Sequence, residues 1–524
     1  MAFFTRRRFL QAGLLAGSGA IVSQSISNGA AARSLPKTIA LDRNRPKITD
    51  GVMSGDISGN QAVIWSRSDR LSRMRVEFSL DESFRRSQRV RGEVATDAQD
   101  FTARTVLRGL PSDRPIFYRV QFEDLERSSN LSEPVVGRLQ IPGSQRSIKL
   151  AWSGDTAGQG WGINPEWGGF RIYETIRQMK PDCFIHCGDT IYADNPIVSE
   201  VKLDDGSIWK NLTTPEKSKV AETLEEFRGN YRYNLMDEHI RRFNAEVPQL
   251  WQWDDHEVTN NWYPTELLND DRYQVKEVSL LASRGKQAFL EYAPVHPEAK
   301  NAGRVYRSFQ FGALLDVFML DMRSYRAANS PNRQSEQSAV TAFLGSDQIQ
   351  WLKQQLQRSR ATWKIIASDM PLGLIVRDGK TDFENLSNGD GPPLGRELEL
   401  ADLLRSIKQK KIQNVVWLTA DVHYAAAHYY DPNLAQFQDF NGFWEFVAGP
   451  LHSGTFGPND LDNTFGPQVK FQSVQPGLKL NSPPSAGLQF FGIVEIDPTS
   501  KAMAIALHNL EGKRLFTQTL PAMG

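Results

Sequence analysis

Two rhythms of apolar residues divide this chain. Between residues 45 and 143 the rhythm has period two. Ala62-Val-Ile-Trp-Ser66, Met74-Arg-Val-Glu-Phe-Ser79, Arg104-Thr-Val-Leu107 and Ile116-Phe-Tyr-Arg-Val-Gln-Phe122 are short alternating runs separated by Gly, Asp, Ser and Pro clusters. That pattern predicts an antiparallel β-sandwich. Asp56 and Arg67 within it read as turn and surface residues, and Ile141 to Ser147 as a linker. From Ile148 onward, apolar runs alternate with helical ones, which implies α/β layering. Strands are expected through Ser147–Asp155, Asp182–Cys187, Pro248–Trp253, Leu314–Leu320, Lys364–Ser368, Asn414–Thr419, Phe443–Val447 and Phe490–Ile496. Helices are expected over Glu166–Met179, Val220–Phe243, Lys286–Tyr292 and Leu398–Lys408. A further one is capped by Ser346, with Ile349, Leu352 and Leu356 on one face. Residues 195–217 read as a polar, irregular insertion.

Composition narrows the class. At 524 residues the chain is too long for one ordinary core, so about two or three domains are expected. Lys+Arg and Asp+Glu both number 61, a balance that argues against nucleic-acid binding. The two cysteines, Cys183 and Cys187, lie four apart in one predicted strand. At roughly 3.3 Å per residue they sit about 13 Å apart, too far to bridge, and read as small buried residues. Residues 1–32 read as an export signal. Thr5-Arg6-Arg7-Arg8-Phe9-Leu10-Gln11 matches the twin-arginine pattern, a short glycine-containing apolar run follows, and Ala30-Ala31-Ala32 offers a cleavage site. The run is too short for a stable membrane anchor. The twin-arginine export machinery is thus an expected partner, and the periplasm or exterior the expected compartment.

The candidate chemistry gathers where apolar runs end. Asp155 closes one strand, and Gly188-Asp189-Thr-Ile-Tyr192 closes another. Trp253-Asp-Asp-His-Glu257, with Asn260 and Asn261, follows a third, and Asp421-Val-His423 a fourth. Ligands of α/β proteins sit outside the carboxyl ends of strands. Asp155, Asp189, Tyr192 and His423 offer two carboxylates, a phenol and an imidazole, a set suited to a hard ion such as Fe(III), with zinc open to the imidazole. Asp255, Glu257, Asn260 and Asn261 are oxygen donors that fit calcium, manganese or magnesium. Asp255 is preferred to Asp254 as the ligand. Two such ions clamp a phosphoryl group and lower the pKa of a water. His256 reads as a buried neutral histidine or as a proton donor, and Arg323 as a structural ion pair or a phosphate contact. His186, His428 and His452 read mainly as structural. The glycines Gly158, Gly160 and Gly162 lack the Lys-Ser/Thr that a phosphate-binding loop requires.

Taken in order, Gly188-Asp189-x-x-Tyr192, Trp253-Asp-Asp-His-Glu-Val-x-Asn-Asn261, Leu320-Asp-x-Arg-Ser-Tyr325 and Leu418-Thr-Ala-Asp-Val-His423 resemble the alkaline phosphatase D family. This is the PhoD branch of the calcineurin-like metallophosphoesterases. The Gly51-Val-Met-Ser-Gly-Asp56 opening resembles its N-terminal domain. The resemblance implies an α/β fold: a metallophosphoesterase αββα sandwich over residues 148–522, preceded by an all-β immunoglobulin- or fibronectin-like sandwich over residues 45–143. It implies a phosphatase and phosphodiesterase acting on phosphate esters by attack of a metal-activated hydroxide. It also implies one Fe(III) with Ca2+ at companion positions, Zn2+ or Mn2+ being alternatives. On that pattern Asp189 bridges, Tyr192 and His423 hold iron, and Glu257, Asn260 and Asp421 serve calcium. Asp155 and Asp255 complete the expected ligands, and His256 and Arg323 are the expected catalytic side chains. One departure stands out. The family's first strand can carry Ser-Cys-Gln, whereas this chain has Ser153-Gly-Asp155, which puts an oxygen ligand in place of a thiolate. Two other readings compete: a non-catalytic exported binding protein, and a different metal-dependent ester hydrolase.

Overall fold

The structure is a computed structural model that describes residues 45–301 and 303–523. The export-signal reading, at residues 1–32, lies outside the described residues.

Two large sheets face each other. The first runs in the order Arg514–Leu520, Met503–Asn509, Phe490–Ile496, Ile148–Ser153, Cys183–Cys187, Gln249–Gln252, Ile48–Ser58, Gln61–Ser68 and Thr102–Leu107. The second runs Arg307–Phe311, Leu315–Met319, Trp363–Ala367, Val415–Thr419, Phe443–Val447, Ala426–Tyr430 and Pro467–Gln472. The central strands of each pair in parallel. Parallel strands in the middle of a protein are covered on both faces and read as continuous apolar runs. Here alternate residues of each run enter different cores. Leu150, Ile185 and Leu250 of the first sheet meet Val317, Ile365 and Leu418 of the second in a shared interior. Their neighbours Ala151, Phe184 and Trp251 face the other way, onto Ile172, Phe227, Phe243 and Phe289. Those four belong to the helices Arg171–Gln178, Leu224–Asn234, Glu238–Glu246 and Val278–Tyr292. Phe318, Ile366 and Trp417 turn onto Leu352 and Leu403 of the helices Ser346–Arg358 and Glu397–Gln409. The layers are helix, sheet, sheet, helix.

Residues 45–143 form seven strands in two antiparallel sets. Ser87–Ala95, Ser72–Ser79, Pro115–Glu123 and Val135–Gln140 make a separate four-stranded sheet. The other three extend the first large sheet, through a parallel pairing of Gly55 with Gln249. The β-rich region is therefore continuous with the α/β layers. Asp56, expected at the surface, is buried at this seam. Its carboxylate accepts from Nε and Nη2 of Arg307 and from the amide of His296.

Boundaries differ where local capping overrides periodicity. The single helix expected over Val220–Phe243 is two. Asp237 interrupts it and caps the second, accepting from His239 and Ile240 amides. Ser346 is the first helical residue, with Gly345 at the cap. Within the 195–217 insertion, Glu200–Lys202 and Ile208–Lys210 pair as a short hairpin. Cys183 and Cys187 are both free and buried.

Candidate metal centre

Six parallel or central strands end one residue short of a repeated feature. Ser153, Cys187, Gln252, Met319, Ala367 and Thr419 close their strands, and two positions later stand Asp155, Asp189, Asp254, Asp321, Asp369 and Asp421. A two-residue step keeps the side chain on one face of the strand, so the fold delivers a row of carboxylates along one end of both sheets. Several are held in the left-handed region: Asp155 at φ 70, Asp189 at φ 53, Asp421 at φ 66, with His423 at φ 61 and Asn261 at φ 57. Such backbone is costly for residues with a Cβ and concentrates at functional sites.

The side chains converge in three adjoining groups whose ligand atoms lie within 4.8 Å of one another. They are Asp155 with Asp189 and His423, Asp189 with Asp255 and His256, and Asp254 with Asp255 and Asp421. Asp189 belongs to the first two and Asp255 to the last two. Tyr192 joins the first group, its hydroxyl 2.9 Å from His423 Nε2, while Asp155 Oδ1 lies 3.6 Å from the same nitrogen. His423 is fixed from behind, its Nδ1 2.5 Å from the Gly454 carbonyl and 2.8 Å from Ser453 Oγ. The Tyr192 ring stacks on His256 at 4.2 Å. Its other neighbour is Gly158, where an added Cβ would stand 2.4 Å from the ring. Gly188, at φ 98, allows a comparable approach, since a Cβ there would meet Asp254 Cβ at 2.5 Å.

The electrostatics ask for cations. Burial pushes Asp155, Asp189 and Asp421 well above the carboxylate range, and neighbouring acids push the same way: Asp254 on Asp155 and Asp421, Asp255 on Asp189. Burial also raises Tyr192, with Asp189 adding to it, and lowers His423 to about 4, leaving a neutral imidazole. Oδ2 of Asp155, Oδ2 of Asp254 and Oδ1 of Asp255 are buried with no protein donor. Several unpaired buried carboxylate oxygens within one cluster are unfavourable unless cations or protons complete them. The donor set, carboxylates with one phenol and one imidazole, fits hard metal ions.

Some expected ligands lie elsewhere. The Glu257 carboxylate accepts from the amides of Asp189 at 3.2 Å, Thr190 at 2.5 Å and Asp254 at 2.7 Å, and from Thr190 Oγ1 at 2.6 Å. It ties two ligand loops together and has no oxygen left for a metal. The tight turn begun by Asp255, which accepts from the Val258 and Thr259 amides, separates the two acids. Asn260 is exposed, and its contact here is a backbone one, its amide donating to Asp194 Oδ2. Arg323 is fully buried. Its Nε donates to Asp254 at 2.6 Å and its Nη2 to Glu384, so it braces the acids, while its Nη1 has no protein partner. His256 Nδ1 is bound 2.7 Å from Asp194 Oδ1. Burial opposes its charge, but Asp194 and Asp255 outweigh that and raise its pKa to about 10.

Sequence reasoning missed Asp369, Glu384 and Asp378. Asp369 is wholly buried and follows a strand like the others, so the strand-plus-two spacing would have found it. Asp378 lies in a hairpin of two-residue strands, Arg377–Asp378 and Asp382–Phe383, and Glu384 follows it, too short a stretch to show a periodicity; Asp378 accepts from Asn261 and Asn329. Of the weaker candidates, the His428 ring is tied to Glu445, that of His452 to the Gly162 carbonyl and that of His186 to Thr156, and none of the three belongs to the acidic groups.

The model of the PhoD-like phosphatase domain matches residues 150–507, and that of the PhoD-like phosphatase N-terminal domain matches residues 31–142. The chain belongs to the PhoD-like phosphatase family. It is 26% identical over 487 residues to alkaline phosphatase D of Bacillus subtilis (strain 168), covering 88% of this chain and 78% of that protein. In fold it is similar to a solved PhoD structure, with TM-score 0.66 and 20% identity over 90% of this chain and 89% of that one. It is also similar to purple acid phosphatase PPD1 from yellow lupin (Lupinus luteus) seeds, with TM-score 0.54 and 13% identity over 91% and 74%. The PhoD-like chain is a phosphoesterase hydrolase with acidic and histidine groups placed to bind metal.

Proposed function

We propose that this chain is an exported phosphatase and phosphodiesterase with a centre of Fe(III) and Ca2+. The observation that carries the reading is the buried carboxylate cluster with unpartnered oxygens, at the strand ends of a PhoD-like phosphatase. Asp155, Asp189, Tyr192 and His423 would hold the iron. Asp189 and Asp255 would link it to a calcium side completed by Asp254 and Asp421. When bound, such ions polarise the phosphoryl group and lower the pKa of a water. The remaining work falls to the chain. Arg323 and Glu257 keep Asp254 and Asp189 in place. Asp194 fixes the His256 ring through Nδ1 and holds its proton, which leaves Nε2 to donate to a departing alkoxide. The Thr5-Arg6-Arg7-Arg8 signal supports export by the twin-arginine route to the periplasm or exterior. Among the described residues no helix is long and apolar enough to cross a membrane.

Parallel assays with p-nitrophenyl phosphate, bis-p-nitrophenyl phosphate and p-nitrophenyl sulfate test the reading, with Asp189→Ala as the comparison. Hydrolysis of the phosphate esters by the native chain and its loss in Asp189→Ala are expected. Equal turnover by both chains, or preference for the sulfate, would sink it.

A further inference from the structure

The four-stranded sheet carries charge that the metal centre does not use. On its outer face Arg75 stands directly opposite Arg91 on one neighbouring strand and Gln121 on the other. Glu77, two residues on, stands opposite Arg89 and Arg119. Three guanidinium groups converge on the nearly buried Glu123: Arg91 at 2.9 Å, Arg75 at 3.3 Å and Arg73 at 3.9 Å. Two more share Glu77, Arg119 at 2.6 Å and Arg89 at 3.5 Å. Five cations over two anions leave three positive charges uncompensated on one face. Like charges directly opposed across strands destabilise a sheet, so folding alone does not favour this arrangement.

Four of these arginines, Arg75, Arg89, Arg91 and Arg119, line a concavity of about 440 Å³, with Ser128 and Leu131 in its wall. That is within the size of ligand sites, roughly 300–1,000 Å³. Arg89 and Arg91 are 69% and 70% exposed, and the other three are about a third exposed, so the guanidinium groups remain open to a ligand. Glu77 and Glu123 hold them in place and reduce the entropy lost on binding. The guanidinium fork matches phosphate oxygens in pairs. Arg75 and Glu77 are two residues apart, about 7 Å along a strand at ~3.4 Å per residue, so the two arginine sets lie too far apart for one phosphate to meet both well.

We propose that this face is a second site, sharing no residue with the metal cluster, that binds a chain-like ligand carrying several phosphate groups. On a phosphatase such a site would retain polymeric substrate between hydrolytic events. The choice of phosphate over other anions rests on the phosphatase reading; the existence of an anion site does not.

The test is calorimetric binding of inorganic polyphosphate to the full chain carrying Asp189→Ala, with and without Arg89→Gln and Arg91→Gln. These two arginines are the most exposed of the set. Their loss should weaken binding about tenfold, and adding Arg75→Gln and Arg119→Gln should abolish it. In the chain with native Asp189, the Arg89→Gln/Arg91→Gln variant should hydrolyse p-nitrophenyl phosphate at the native rate, which shows that it is folded. Unchanged polyphosphate affinity in that variant would overturn the site. Equal binding of polyglutamate of matched charge would overturn the assignment to phosphate, and binding to anionic vesicles without binding to polyphosphate would overturn the chain-like ligand. Should the native chain hydrolyse no phosphate ester while the arginine variants still lose polyphosphate, the anion site stands and the phosphatase reading falls.

Discussion

Replacing Arg323 by methionine separates the two roles open to this residue. The guanidinium is fully buried and donates Nε to Asp254 at 2.6 Å and Nη2 to Glu384. Methionine keeps much of the side-chain volume and removes the charge. Both carboxylates then remain buried without their shared cation. Removing one partner of a buried ion pair costs about 3–5 kcal/mol, and this arginine serves two acids. Metal ions near Asp254 would relieve part of that cost, so the loss should be larger in chelator-treated protein than in loaded protein. Urea unfolding monitored by tryptophan fluorescence, with and without metal, reads both quantities. In steady-state assays kcat should fall, because Asp254 loses its brace, while KM for p-nitrophenyl phosphate stays near the native value. A variant with native stability and a KM raised at least about tenfold would refute the reasoning and make Arg323 a direct phosphate contact, at ~1.4 kcal/mol per factor of ten.

Three further outcomes follow from particular contacts. Glu397 is raised to about 9, first by burial and then by the charge of Asp462. A carboxyl whose folded pKa lies above its unfolded value contributes stability that is lost as pH rises through the folded pKa. Glu397→Gln should therefore match the native chain near pH 5 and unfold at higher urea than it near pH 9; a midpoint difference independent of pH would contradict this. Gly158→Ala puts a Cβ 2.4 Å from the Tyr192 ring and should reduce iron retention in metal analysis, with little change in the far-ultraviolet circular dichroism; native iron content would show that the ring is not fixed there. Asp56→Asn leaves Arg307 with an incomplete partner at the seam between the β-rich and α/β regions. It should lower stability by about 1–3 kcal/mol without changing kcat, and an unchanged urea midpoint would count against the seam.

The α/β layering was legible because parallel strands buried on both faces must be continuously apolar. Leu315–Met319, Trp363–Ala367 and Val415–Thr419 fall within a residue of where the runs place them. The ends of those runs also located Asp155, Asp189, Asp421 and His423, which the fold brings together. What could not be read is the direction of each side chain after the strand. Asp254, Asp255 and Glu257 are close in sequence and similar in chemistry, yet two face the cluster and the third collects backbone amides. That outcome depends on a single turn, whose register no periodicity encodes. The burial of Asp56 was equally hidden, since an ion pair across distant segments leaves no local signal, and for Arg323 nothing local decided between the ion pair and the phosphate contact that the sequence left open. The joining of the β-rich region to the main sheet rests on the Gly55–Gln249 pairing, a long-range contact between segments that each look complete alone.

The measurement that bears most directly on the account is metal analysis of the full chain purified without chelator, with its visible spectrum recorded on the same sample. Iron and calcium together with a violet tyrosinate-to-iron band are the expected result, and would support Tyr192 as an iron ligand. A chain that retains no metal, and hydrolyses no phosphate ester after metals are added back, would contradict it.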